Sequence, residues 1–384
     1  MVTRTLVIGG TGPTGPFIVN GLRERGHQVT IFHRGTHEIP EIPADVAHIH
    51  GDPHFTETIE AALAGHTFDV VIASYGRIRL IAESLAGRVG RFISVGGFAL
   101  YRGFSNPRLL QPAGLPALVR EDRPLADDET EERFSMLIAQ TEQAVFRHHP
   151  AATIFRYPYV YGPYQLVPRE WSIVRRILDG RTRILVPDAG HQLATHGWAG
   201  NLGHAVLLAV DHPEASAGKS YNCGDLDQYM INQIVEIVAS TLGAPLEPVA
   251  VPWAVAGSAK SLVLGSRHHQ LMDLFQLRAD LGYTDAVPAA EAIARTARWY
   301  ADNRPDASVE ERMADTFDYA WEDRMLEHAG ASLTQWRTVA RHNADGSPYE
   351  PERQLSRTAS GKAFLPHPYA HPKDVGQATD HRGR

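Results

Sequence analysis

Three glycines spaced three apart, Gly9, Gly12 and Gly15, stand in LVIGGTGPTGPFIV (6–19). They follow a short apolar run with strand character and open a stretch with helical spacing. Glycine there lets the chain turn tightly. It also lets a pyrophosphate approach the backbone N–H groups at a helix N-terminus, where the helix dipole favours negative charge. Strand before and helix after is the context in which such a triplet reads as a dinucleotide cradle. Thr11, Pro13 and Thr14 fill the turn and are expected to line it, with Ser74, in IASYG (72–76), on the neighbouring strand end.

The end of the second strand, FHRG (32–35), decides between two dinucleotides. An acid at that point would bond a ribose 2′-hydroxyl. Here there is none, and Arg34, assisted by His33, is placed to face a 2′-phosphate, so the cofactor expected is NADP (NADPH) rather than NAD. Further on, in HGDPH (50–54), Asp52 can accept from an adenine amino group or can cap the helix after it.

Alternating strands and helices must position these residues. TLVI (5–8), VTIF (29–32), VAHI (46–49), DVVIA (69–73), RFISV (91–95) and TIFRY (153–157) are short, Val- and Ile-rich runs bounded by Gly, Asp or Pro. Helical spacing lies between most of them, as in 17–26 and 57–65. The fold class expected is α/β, a doubly wound parallel sheet (Rossmann-like) with a smaller C-terminal substrate lobe. The division expected is 1–165 for the NADP-binding domain, 166–300 for a substrate lobe interleaved with the sheet, and 301–384 for an extension. In the lobe, helices are expected near 171–179, 198–211 and 230–242, with strands at 183–186 and 220–224. In the extension, 305–342 reads as helical, with Phe317, Trp321, Met325 and Trp336 as packing anchors, and 343–384 as extended or disordered.

Composition narrows the class. The chain has 384 residues, 43% hydrophobic and 21% charged, a globular profile, and its net charge of −7 disfavours nonspecific nucleic-acid binding. No apolar run approaches the roughly 20 residues that span a bilayer. The single cysteine, Cys223, excludes an internal disulfide framework and suits a reducing cytoplasm. The 20 histidines include HIH (48–50) and two HH pairs, scattered and without a ligand spacing, so no functional metal is expected. The tail's PHPYAHP (366–372) has a composition that binds metal adventitiously.

The ordered set GGTGPTG (9–15), FHRG, HGD (50–52), RFISVGGFALY (91–101), RYPYVYGPYQ (156–165), SYNCGD (220–225) and DLGYTDAVPAAEAIARTARWY (280–300) resembles the atypical or extended short-chain dehydrogenase/reductase superfamily, its epimerase/dehydratase-like branch. The resemblance covers residues 1–300, and 183–198 looks most like a subgroup with plastid RNA-binding relatives. It implies a Tyr-x-x-x-Lys pair on the helix after the fifth strand and a Ser or Thr near that strand's end. The tyrosine moves a proton while the lysine lowers its pKa. Aligning on Glu142 puts Phe134 at the tyrosine position and Ile138 at the lysine position, and Gly97 stands at the serine position. No lysine precedes Lys219, so the usual acid/base pair is absent.

The activity that follows is an NADP(H)-dependent oxidoreductase acting on a small organic carbonyl or alcohol. Its proton comes from Tyr101, Tyr157, Tyr159, Tyr75 or a water. The alternatives are a nucleotide-binding protein with altered chemistry (a sensor, a scaffold or an RNA-binding relative) and a redox-neutral epimerase or dehydratase. Tyr157, Tyr159, Tyr161, Tyr164 and Trp171 read either as an aromatic rim or as packing between lobes. In HGWAGNL (196–202), where relatives often carry an acid, Asn201 caps or bonds in its place. His196, in the same run, is expected to be structural. The partners expected are a small substrate, aromatic or apolar, and a second copy as a homodimer, with no nucleic acid and no membrane.

Overall fold

The structure is a computed structural model that describes residues 2–36, 38–127, 132–340 and 347. It divides into two units, 1–318 and 319–384.

The first unit is built on a seven-stranded sheet. Its strands are β1 (Arg4–Ile8), β2 (Gln28–His33), β3 (Ala47–His50), β4 (Phe68–Ala73), β5 (Val89–Gly97), β6 (Thr153–Tyr157) and, much later in the chain, β10 (Lys219–Asn222). The spatial order is β10-β6-β5-β4-β1-β2-β3, and every pairing is parallel. The sequence dictates this. A parallel strand covered on both faces carries apolar side chains on both, and β1 divides its own between two cores: Val7 into one with Ile18, Ile31 and Val206, Leu6 and Ile8 into another with Phe32, Ile59 and Phe92. Helices α1 (Gly15–Glu24) and α6 (Ala199–Asp211) cover the first core. Helices α2 (Thr56–Ala62), α3 (Ile78–Ser84) and α4 (Arg133–His148) cover the second.

Between β6 and β10 the chain leaves the sheet. It makes β7 (Tyr159–Tyr161), α5 (Arg169–Leu178), β8 (Arg183–Pro187) and β9 (His196–Trp198) before α6, and α7 (Pro213–Ser216) after it. Past β10 come α8 (Ile231–Leu242), β11 (Glu247–Val251), α9 (Phe275–Leu281), α10 (Ala289–Asp302) and α11 (Ala307–Glu310). β8 pairs with β11 and β7 with β9. Trp171, Ile184, Val235, Ile293 and Tyr300 pack together as a third core beneath them. Here α5, β8, α6, β10 and α8 stand within a few residues of the expected positions, whereas β7, β9, β11, α7, α9 and α10 were not among the expected elements.

The region after Asp302 differs from the continuous helix expected over 305–342. α11 is one turn, residues 311–318 are turn and loop, and a helix resumes as α12 (Tyr319–Ala340), which is the described part of the second unit. The break spans 311–318 and includes Phe317, whose φ of 50° lies in the left-handed region that a helix interior excludes. Phe317 is an anchor all the same, with the Arg175 guanidinium 4.0 Å from its ring centroid. The side chain of Trp336 and the expected extended tail, apart from Ser347, lie outside the described residues. Among the described residues, no helix is long and apolar enough to cross a membrane.

Candidate functional site

The sheet order reverses between β1 and β4, and the crevice beyond the carboxyl ends of the strands at such a reversal is where α/β sheets take ligands. Gly9, following β1, and Ser74, following β4, meet there. Gly9 has φ 111° and Gly10 φ 83°, so the chain turns in a conformation open to glycine. A Cβ on Gly9 would stand 2.8 Å from Ser74 Oγ. Ser74 is therefore the wall of the turn, and its hydroxyl donates to the Ile8 carbonyl at 3.0 Å. Gly15 is where α1 begins, and a Cβ there would lie 2.1 Å from the Gly10 carbonyl oxygen. Gly12 is different, since a Cβ on it would meet nothing within 4 Å. Gly15 thus closes the turn on itself, while Gly12 leaves a gap that a phosphate can enter. Thr11 and Thr14 are buried in the turn with Pro13 between them.

At the end of β2, Arg34 is exposed and stands 5.8 Å from the Tyr75 ring centroid. It makes no ion pair among the described residues. Asp52 lies on the same side. Its carboxylate accepts from the His54 backbone N–H at 3.0 Å and lies 2.7 Å from His54 Nδ1. The His54 side-chain bond, opposed by desolvation and helped by the His54 backbone bond, the His54 charge and last by Arg34, holds the Asp52 carboxyl below the usual range. The residue capping α2 is Phe55 rather than Asp52, which removes the capping reading and leaves an anion beside the crevice. The residues present therefore suit an adenosine dinucleotide: a glycine turn open at Gly12, an exposed guanidinium at Arg34 and the Tyr75 ring beside it.

His33 does not share that rim. Its ring is 4% exposed, with centroids 5.0 Å from both His48 and His50. Burial lowers its pKa, so it is a neutral ring and not a second cation for a phosphate. The expectation that the histidines lack a ligand arrangement also needs correction. Pairing of β2 with β3 brings His33, His48 and His50 together, and Glu38 joins them. Linear spacing conceals this because the strands meet only in the sheet; HIH read as a strand, with both rings on one face, was the signal available.

Two of the three positions at which the resemblance implies proton chemistry come together. Gly97 ends β5, and a Cβ on it would lie 3.6 Å from Ile138 Cδ1 on α4. Phe134, one turn before Ile138, is 64% exposed. The chamber that the resemblance implies beyond the end of β5 would be lined here by hydrocarbon, where a hydroxyl and an ammonium are the groups implied.

None of the four tyrosines replaces them in the interior. Tyr101 is fully buried, its hydroxyl donates to Asn222 Oδ1 at 2.6 Å, and it accepts from Arg156 Nη1 at 2.7 Å. Burial, offset in part by Arg156, pushes its pKa up to about 12. Tyr157 bonds the Leu202 carbonyl at 3.3 Å, and Tyr159 accepts from the Arg169 backbone N–H at 2.7 Å. Burial raises both well above the ordinary phenol value. Tyr75 stands with Arg34 and His54 on the cofactor side. Trp171 and Tyr161 are likewise buried in the lobe core, so the aromatic set is packing rather than an open rim. The Tyr159 ring does line a cavity of about 400 Å³ bounded by α5 and residues 257–265 and 313–315.

Beneath the chamber, Arg156 of β6 meets Glu142 of α4 with Nη2–Oε1 2.5 Å and Nε–Oε2 3.0 Å. Ser220 donates to the same carboxylate at 3.0 Å. A second buried junction lies at Asp225, after β10. It accepts from Tyr161 at 2.7 Å, from Asn201 at 2.8 Å and from the Trp198 backbone N–H at 3.0 Å. Asn201 therefore bonds and does not cap, because Trp198 is the residue that caps α6. His196 is buried, with Nδ1 2.8 Å from the Ala194 carbonyl oxygen, and burial lowers its pKa to about 3. It is a neutral structural ring.

Burial raises the Asp225 carboxyl to about 7, offset in part by its donors. An acid whose folded value is raised stabilises the fold fully below the ordinary carboxyl range and loses that contribution as pH rises through the folded value. The melting temperature is therefore expected to fall by several degrees between pH 5 and pH 8, and to fall less in Asp225→Asn. Equal slopes in the two proteins by differential scanning calorimetry would show that Asp225 carries no share.

A family model described as NAD(P)H-binding matches residues 9–133, which hold the glycine turn, Arg34, Asp52 and Gly97. Among curated proteins, the chain is 27% identical over 270 residues to a 3-diazoavenalumate denitrifying reductase of Streptomyces sp, covering 66% of this chain and 86% of that one. It is 26% identical over 327 residues to the 2-alkyl-3-oxoalkanoate reductase of Stenotrophomonas maltophilia (strain K279a), covering 78% and 91%. It is 27% identical over 229 residues to the chloroplast stem-loop binding protein of 41 kDa b of Arabidopsis thaliana, covering 56% of each. Among solved structures, the Bordetella bronchiseptica enzyme WbmG, in complex with NAD, superposes with a TM-score of 0.63 at 14% identity, covering 79% of this chain and 95% of that one. Residues 9–133 thus match an NAD(P)H-binding model, and the chain has the Rossmann-like fold seen in structures of epimerases and dehydratases.

Proposed function

We propose that the protein is an NADP(H)-dependent reductase of small organic carbonyls in which a water, not a side chain, supplies the proton. The observation that carries the cofactor half is the exposed Arg34 at the end of β2, without an ion pair among the described residues, where FHRG holds no carboxylate to meet a 2′-hydroxyl. The chemistry half is supported by the absence of a titratable side chain at Gly97, Ile138 and Phe134. Two of the similar proteins are named reductases.

When bound, the nicotinamide supplies the hydride. The chain's part is to orient it. Gly12 would admit the pyrophosphate, Arg34 and Asp52 would fix the adenosine end, and Ile138 and Phe134 offer an apolar surface for the substrate while leaving water access to the site. An epimerase or dehydratase must return protons within each turnover, and a wall without a titratable group suits a single one-way reduction better. The reading extends to a substrate with an apolar or aromatic body that packs on exposed Phe134, to a homodimer, and to a cytoplasmic location, in keeping with a free buried Cys223.

Arg34→Ala is expected to weaken NADPH binding by about 10- to 100-fold and to leave NADH binding within about 2-fold, the loss of one charge-assisted bidentate contact. Fluorescence titration of the purified protein with both nucleotides checks it. Equal affinity for the two in the parent, or an unchanged NADPH affinity in the variant, sinks the NADP assignment. Tight NADPH binding without oxidation across a broad set of ketones, aldehydes and quinones would favour a nucleotide-sensing role instead.

A further inference from the structure

The sheet ends at β3, and its outer edge gathers side chains that the dinucleotide site does not use. In the parallel register of β2 with β3, His33 lies opposite His50 and Ile31 opposite His48. Residues paired in register project to the same face, and residues two apart on one strand do too. The three imidazoles therefore converge on the face that α1 also covers. The segment 34–46 crosses that face and carries Glu38 back over the strands.

The ligand atoms are close. His33 Nε2 is 3.1 Å from His48 Nδ1. The Glu38 carboxylate stands 3.6 Å from each of these nitrogens and 3.8 Å from His50 Nε2. All four ligand atoms lie within 4.8 Å of one another. Four N and O ligands placed tetrahedrally about 2.0–2.1 Å from an ion are about 3.3 Å apart. Side-chain rotations of less than about 1 Å close the set, and the two outer rings have room for them, since the His48 and His50 side chains are 24% and 60% exposed. The inner ligand is buried His33, whose Nδ1 accepts a long contact of 3.4 Å from the Gly35 backbone nitrogen; ligation through Nε2 takes the other tautomer, with the proton moved to Nδ1 and this contact given up.

We propose that His33, Glu38, His48 and His50 bind one divalent transition-metal ion, Zn²⁺ or a close relative, which clamps the segment 34–46 to the sheet edge. Three imidazoles and one carboxylate without a thiolate suit Zn²⁺, Co²⁺, Ni²⁺ or Cu²⁺, and disfavour Mg²⁺ and Ca²⁺, which take oxygen-rich shells. Four protein ligands make a closed site, the structural kind, with no position for a reacting water. The clamp matters because of what the segment holds. Arg34 begins it, and Glu41 within it accepts from the Tyr164 hydroxyl at 2.7 Å. An ion at Glu38 fixes the stretch between these two contacts. This coupling to Arg34 rests on the NADP reading; the metal site itself does not.

The test uses the full chain stripped with a chelator and then titrated with ZnCl₂ against a chromophoric competitor, with metal content read by mass spectrometry. One equivalent with micromolar or tighter affinity is expected. His48→Ala/His50→Ala, which alters two partly exposed rings and should fold normally by circular dichroism, is expected to weaken binding by at least about 100-fold. His367→Ala/His371→Ala, which removes two tail histidines, is expected to keep the equivalent. Co²⁺ in the parent should give the intense visible absorption of a tetrahedral ion, and the β3 variant should not. No saturable binding, equal binding in the β3 variant, or loss in the tail variant instead would overturn the site. Zn²⁺ is also expected to tighten NADPH binding in the parent and not in the β3 variant. If the equivalent binds while NADPH does not bind at all, the metal site stands and the cofactor reading fails.

Discussion

Gly12→Val is expected to leave the fold intact and to weaken dinucleotide binding by at least about 100-fold. A Cβ at Gly12 meets no protein atom within 4 Å, so the added methyls have no clash to relieve, and the melting temperature should stay within a few degrees of the parent. The same methyls occupy the gap in which the pyrophosphate must approach the backbone, and the distance they add removes hydrogen bonds to ionised oxygens, the strong kind. Gly15→Ala is the contrasting case. Its Cβ would lie 2.1 Å from the Gly10 carbonyl oxygen, a backbone atom that cannot step aside, so both the fold and the affinity suffer. Nucleotide titration beside thermal unfolding separates them. A Gly12→Val protein that binds NADPH as the parent does would mean that the phosphates lie elsewhere.

The second large effect concerns stability. Arg156→Met is expected to destabilise the protein by about 3–5 kcal/mol, because it leaves the Glu142 carboxylate buried without its cation. The side chains of the pair are 5% and 9% exposed. The same change takes a donor from Tyr101 and from the Glu121 carbonyl. Glu142→Leu in the same chain is expected to recover most of the loss, since it removes the stranded charge and fills the space with hydrocarbon. Urea unfolding of the parent, the two single variants and the double variant makes the cycle. A single variant within about 1 kcal/mol of the parent would show that water reaches the pair. Because Tyr101 and Arg156 support the floor of the chamber, loss of turnover in Arg156→Met beyond its loss of folded protein would be a separate and secondary effect.

Much of the fold was legible because burial on both faces leaves a plain mark. Strands such as β1 and β4 must be apolar at every inward position, and their ends are punctuated by Gly, Asp or Pro. The glycine turn was equally plain, because its residues are sequential and their spacing is set by backbone geometry. What stayed hidden depends on residues far apart in the chain. Asp225 reaches Asn201 and Tyr161 across 24 and 64 positions, and no local pattern announces a buried carboxylate. The meeting of His33, His48 and His50 is hidden for the same reason, because β2 and β3 are separated by a segment whose path the sequence does not give. The tyrosines erred in the other direction. Tyr101 and Tyr157 follow strand ends, which placed them near the chemistry, but position along a strand does not say whether a hydroxyl faces the crevice or the core. The break over 311–318 was invisible to helical periodicity, which records the favourable face and not a left-handed residue such as Phe317.

The Asp225 junction has a mechanical meaning. Its carboxylate ties the strand after β6, the start of α6 and the loop leaving β10, so the substrate-side elements and the sheet are riveted at one point near the middle of the molecule. Such a tie resists displacement of the three elements relative to one another, whereas the surface stretches around residues 102–127 and 158–168 carry few regular elements to hold them.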